Sequence, residues 1–147
     1  MKLLQFLAIV LTALALVPGG AHLFALPNKM NLGVSDYFIV QGIYRGWALL
    51  GIVLIGAALA NLTLTILLRG QRGPFVFALI SLLCLLATLA IFFTFTFPAN
   101  QVTNNWTDVP GNWQQLRWQW EISHAVNAAI TFVAFCSLTM SVLLTRE

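Results

Sequence analysis

The sequence predicts an all-α integral membrane protein: one domain, 1–147, in which four transmembrane helices form a bundle with both termini cytoplasmic. Three observations lead there. Of 147 residues, 60% are hydrophobic and only 7% charged, with a mean hydropathy of +0.90, whereas a soluble domain carries about 25% charged residues. The few charges leave four uncharged runs, Leu3–Asn28, Gly46–Leu68, Gly73–Thr107 and Ile122–Thr145, each long enough for a helix that needs ~20 apolar residues to span a bilayer. The length then accommodates four spans with short loops and no separate soluble domain. This composition excludes a cytosolic globular enzyme, a disordered tail and a disulfide-stapled secreted miniprotein.

The first span, about 3–26, opens on Met1-Lys2-Leu3-Leu4 like a secretory leader. Its apolar run continues through Leu23-Phe24-Ala25-Leu26, longer than a leader core, so the segment is read as a retained helix. Within it, Pro18-Gly19-Gly20 predicts a kink or an unwound turn, because proline removes a helix hydrogen bond and glycine loosens the backbone. The second span, about 46–68, offers Gly51, Gly56, Ala57, Ala58 and Ala60 as a narrow surface for close helix contact, inside the chain or with another subunit. The third, about 75–97, is closed by Pro98 and the polar run Asn100-Gln101-Val102-Thr103-Asn104-Asn105, and the fourth covers about 121–145.

Loops 27–45 and 98–120 then lie together on the extracytoplasmic side. Positive residues are retained in the cytoplasm, and that side carries Lys2, Arg69, Arg72 and Arg146 against Lys29, Arg45 and Arg117 outside, where Lys29 and Arg117 share their loops with Asp36 and Asp108. Cys84 and Cys136 fall deep in spans three and four and read as buried free thiols. The net charge of +3 comes mostly from flanking and turn residues, which suits a bilayer with anionic head groups and no nucleic acid. Trp106, Trp113, Trp118 and Trp120 crowd the outer loop, where most tryptophans anchor helices at head-group level.

Ionisable groups near a bilayer are costly and mark functional sites by default. His22, Glu121 and His124 fall at one outer level, joined by Arg45 with Tyr44 beside it and Gln41 one turn earlier. On span four, Arg117, Glu121, His124, Asn127 and Thr131 recur at spacings of four, three, three and four, which is one helix face. Such a face points into the bundle or a cavity. Glu121 and His124 form an Exx-His pair, an arrangement that bundle metal sites use. Trp113 and Trp120, four and three residues from Arg117, share that face and could wall an aromatic pocket.

Ala21-His22-Leu23-Phe24-Ala25-Leu26-Pro27-Asn28-Lys29, Tyr44-Arg45-Gly46-Trp47, Phe97-Pro98-Ala99-Asn100 and the array Trp113…Leu116-Arg117…Trp120-Glu121…His124 resemble the small four-helix membrane family of uncharacterised bacterial proteins related to fungal anthrone oxygenases. The resemblance implies a multi-pass protein of the cell membrane, the inner membrane of a bacterium, that oxidises a small apolar, often aromatic molecule with molecular oxygen. Asn100, Trp113, Arg117, Trp120, Glu121 and His124 are the residues it carries over. The family pattern places an arginine three residues after the histidine, where this chain has Asn127.

Three functions stay open. In an oxidoreductase, His22, Glu121 and His124 would hold a non-haem transition metal, with Arg45 or Arg117 steadying an anionic intermediate and Trp113, Trp120, Tyr44, Asn100 and Asn127 binding the substrate; without metal, His124 would act as a base oriented by Glu121. In a haem b electron carrier, His22 and His124 would be the axial ligands. In an accessory or scaffolding subunit, facing a membrane protein partner or a second copy, the cluster would be an internal network pairing Arg45 or Arg117 with Glu121.

Overall fold

A computed structural model of the protein describes residues 1–146. The described residues are helical and contain no strand, and four helical segments are long and apolar enough to cross a membrane. Helix α1 covers Lys2–Met30 and is followed by a short helix α2, Val34–Gln41, and a tight turn at Gly42–Tyr44. The second long segment opens with a 3-10 turn, Trp47–Leu50, and continues as α3, Gly51–Leu67. The third joins α4, Arg72–Ile91, through a π-helical turn, Phe92–Thr96, to α5, Phe97–Val102, and the last helix is α6, Trp113–Leu144.

The long helices close a ring in which α1 packs on α3, α3 on α4, α4 on α6 and α6 on α1. Short connections alternate their direction. One end carries the Leu68–Gln71 turn and both ends of the described chain, and the other is capped by α2, α5 and the 103–112 loop. At the terminal end the Gln71 amide clamps the backbone of Arg146, donating to its carbonyl at 3.3 Å and accepting from its N–H at 2.9 Å.

Small residues let the helices approach, as expected where lipid gives no hydrophobic drive between helices. Ala57, Ala58 and Ala134 pack around Leu85 in mid-bundle, so the small surface of the second span is used within the chain. The Pro18-Gly19-Gly20 segment is neither unwound nor a break. Helix α1 runs through it, and a Cβ on Gly19 would lie 3.3 Å from Ala128 Cα, which makes this glycine the crossing point of α1 and α6. Polar side chains inside are mostly paired with backbone or one another, as with Asn61, whose amide nitrogen donates to Thr12 Oγ1 at 3.2 Å and to Ala57 O at 2.8 Å. Outward faces are apolar, with Leu3, Phe6, Val17, Phe24, Ile52 and Leu143 all exposed, the composition expected of lipid contact.

Two expectations from the sequence are corrected. Pro98 does not close the third span, because the wider π turn before it lets proline enter at the first turn of α5, where its missing N–H needs no partner. The π turn is fastened from α6: Gln119 donates to Phe95 O at 2.8 Å, and Ser123 and Thr96 share a hydroxyl contact of 2.8 Å. Cys136 is exposed, since it faces away from the interior set by Ala134 and Leu138, while Cys84 is half-buried; both are free thiols.

Candidate functional site

The capped end of the bundle gathers most of the costly side chains. Facing helices α1 and α6 run antiparallel, so His22 and Lys29, two turns apart on α1, meet His124 and Glu121, one turn apart on α6. The deeper pair is aromatic. The imidazoles of His22 and His124 stack with centroids 4.1 Å apart and planes inclined by 26°. Trp120 stands edge-on to both, at 4.9 Å from His22 and 4.2 Å from His124, and Tyr44 lies 4.3 Å from His22. Trp47 closes the other side of His22 at 5.6 Å.

The outer pair is ionic. Lys29 Nζ lies 2.8 Å from Glu121 Oε1, with the side chains 4% and 0% exposed. The ammonium also sits over two rings, 4.7 Å from the centroid of Tyr44 and 4.9 Å from that of Trp120, where the negative ring faces attract a cation. Tyr37, from α2, donates its hydroxyl to the same carboxylate oxygen at 2.9 Å and accepts from the Gln41 amide one turn along α2. Burial pushes the Tyr37 phenol well above its ordinary value, and the neighbouring Glu121 charge adds to the shift. Its proton therefore stays in place to serve the carboxylate. Tyr44 is raised for the same two reasons, burial first.

A second layer supports this one. Arg117 donates to Leu32 O at 2.9 Å and lies over Trp113 and Tyr37, at 4.8 and 5.4 Å from their centroids. Asn100 Oδ1 accepts two indole N–H groups, from Trp120 at 2.8 Å and from Trp106 at 3.1 Å. The Trp106 side chain reaches inward because Asn104, Asn105 and Trp106 all take positive φ, 47°, 54° and 67°. That conformation is uncommon outside glycine and asparagine and is worth strain of order 1–3 kcal/mol for a bulky residue. Trp106 is thus a packed member of the cap, not an interfacial anchor.

Several sequence assignments change with the geometry. The partner of Glu121 is Lys29, read from the sequence as a loop charge, and neither Arg45 nor Arg117. Arg45 is exposed beside Gly46, whose φ of 86° turns the chain, and it stands apart from the cluster. Asn127 points to α4, where its amide donates to Thr88 O at 3.3 Å. Among the described residues no group of three His, Cys, Asp or Glu is placed to hold a metal ion. The reason is visible in the contacts: Glu121 is turned to Lys29 and Tyr37, while the imidazoles lie face to face instead of converging on a point. A haem between His22 and His124 would need them end-on to its iron with the macrocycle in the gap, and the stacked rings leave no gap. The residues therefore fit neither group in this arrangement.

Lys29, Tyr37, Trp47 and Trp106 join the site through the fold. A signal existed for Lys29, which falls seven residues after His22 and so on the same helix face, provided the helix runs through Pro27. It does, and Asn31 caps the exposed Pro27 carbonyl at 2.9 Å. Compared with protein-family models, curated proteins and solved structures, the chain finds no match.

Proposed function

We propose that this is a multi-pass protein of the cell membrane, with both termini cytoplasmic, that binds a small apolar, often aromatic molecule at its capped, extracytoplasmic end and takes a proton from it. That step would open an oxygenase-like oxidation. The observation that carries the reading is unused hydrogen-bonding capacity in one place. Glu121 Oε2, His22 Nδ1 and Gln41 Oε1 are buried without a hydrogen-bond partner in the protein; Tyr44, Trp47 and Trp120 surround His22, and Gln41 joins the group through Tyr37. Buried polar atoms are nearly always paired, and those near a bilayer strongly so, so two carbonyl-type acceptors and an imidazole nitrogen left over together favour a ligand that donates.

His124, half-buried at the edge of the stack, is the base within a ligand's reach. His22 behind it fixes the ring plane. Glu121 spends Oε1 on Lys29 and Tyr37, which leaves Oε2 for the ligand's hydroxyl. The orientation draws support from the use of the charges: Lys29 and Arg117 are engaged internally, so the exposed cations at the capped end reduce to Arg45, against Lys2, Arg69, Arg72 and Arg146 at the other.

A non-catalytic accessory subunit is favoured by one specific observation, the direct contact of the paired charges and stacked imidazoles, which bolts α1 to α6 without any ligand. Titration calorimetry with 2-naphthol on detergent-solubilised protein separates the two. Saturable binding, at least tenfold weaker in His124→Ala and in Glu121→Gln with helicity unchanged, and oxygen uptake with the same phenol are the expected results. Absence of saturable binding, or binding indifferent to both substitutions, overturns the ligand reading in favour of the accessory one.

A further inference from the structure

Every component of an ammonium-recognition site is present around Lys29. A carboxylate oxygen lies 2.8 Å from the nitrogen, two ring faces lie 4.7 and 4.9 Å from it, and Tyr37 orients the carboxylate through its own hydrogen bond at 2.9 Å. Aromatic faces set around a carboxylate are the arrangement with which proteins bind organic cations. The occupant here is the chain's own side chain, delivered from the last turn of α1 on a flexible stem.

The site is also built to hold charge without that stem's help. Glu121 and Lys29 are 1% and 3% exposed, and a carboxylate accepts up to about four hydrogen bonds, yet only Oε1 is engaged and Oε2 has no partner in the protein. The rings are fixed independently of Lys29: Trp120 by its indole bond to Asn100 at 2.8 Å, and Tyr44 by packing on His22 and Trp47 at 4.3 and 5.0 Å. A preformed site of this kind loses little on exchange of its cation, because the ordering of its walls does not depend on the ligand.

We propose that Glu121, Tyr44 and Trp120 form a binding site for primary alkylammonium groups, of which Lys29 is the resident, intramolecular occupant. A primary ammonium at this end of the bundle has two sources, a free amine or the ethanolamine head group of a lipid. The proposal does not rest on the proton-transfer reading above, whose base is His124.

Chemical rescue tests it. Lys29→Ala removes the equivalent of n-propylammonium and leaves the anionic cage. In detergent, n-propylammonium chloride should raise the Tm of this variant by several degrees in a saturable manner, half-maximal on the order of 10 mM. Equal concentrations of sodium chloride or n-propanol should do neither, and the wild type, its site filled, should not respond. A lipid source shows separately, as a higher Tm for the variant in nanodiscs of phosphatidylethanolamine than of phosphatidylcholine, with no difference for the wild type. If Lys29→Ala does not fold, Lys29→Asn keeps part of the stem and ends two atoms short of the cage, and methylammonium is then the probe. A response no larger than that to sodium chloride in the variant that folds, or an equal response in the wild type, overturns the proposal.

Discussion

Removing only one partner of the Lys29–Glu121 pair should cost far more than removing both. The two groups are 3% and 1% exposed and 2.8 Å apart, so Lys29→Met strands a carboxylate among rings and Glu121→Gln strands an ammonium. Breaking a buried pair in this way costs about 3–5 kcal/mol, whereas exchanging the whole pair for neutral side chains of similar volume is often close to neutral. Lys29→Met and Glu121→Gln approximate those volumes, and the amide oxygen introduced by the second substitution would still accept from Tyr37. The double variant is therefore expected within ~1–2 kcal/mol of the wild type, which gives a coupling of at least ~3 kcal/mol between the sites. The assay is a double-mutant cycle on unfolding midpoints in a mild detergent titrated with a denaturing one, followed by helical circular dichroism. Penalties that simply add, with a coupling under ~0.5 kcal/mol, would show that the charges do not depend on each other and would refute the placement of Lys29 inside the bundle.

Two further outcomes follow from the cap. Because burial and Glu121 raise the Tyr37 phenol, the folded state holds that proton more tightly than the unfolded chain; stability is thus kept below the ordinary tyrosine value of about 10 and declines as pH rises beyond it. Tyr37→Phe should remove that part of the alkaline decline in a series of thermal melts, and an unchanged profile would count against the buried phenol. Asn100→Leu takes the acceptor from two indole N–H groups of buried tryptophans, at about 1–3 kcal/mol for each stranded donor. It should lower the unfolding midpoint and shift the tryptophan emission, and a variant as stable as the wild type would exclude the shared acceptor.

Much of the site was legible as residue types and little of it as partnerships. The spacing of Arg117, Glu121, His124 and Asn127 placed them on one face of α6, and three of the four do point to the capped cluster or its support. Asn127 departs because its side chain reaches α4, on the flank of the turn where α1 crosses α6 at Ala128. Lys29 was misread because the uncharged run Leu3–Asn28 stops just before it, which assigned its charge to the loop 27–45. The short α2 carried its own signal, with Tyr37, Gln41 and Tyr44 spaced by four and three, but an eight-residue segment between spans gives no reason to fold back over the bundle. Arg45 and Tyr44 are neighbours in sequence, yet Tyr44 packs on His22 and Trp120 while Arg45 is exposed.

What the sequence determined by itself is the number of helices long enough to span and their approximate extents, because uncharged length is a property of consecutive residues and a bilayer selects it directly. It also marked the end of the bundle where rare ionisable groups concentrate. The tertiary structure alone decided who faces whom: that Lys29 and not an arginine neutralises Glu121, that the two histidines stack, that Trp106 turns inward on three left-handed residues, and that a glycine in the segment expected to kink or unwind α1 is where α6 crosses it. Those outcomes depend on the register between helices far apart in sequence, which is fixed by packing at contacts such as Gly19 on Ala128 and leaves no trace in the order of residues along either helix.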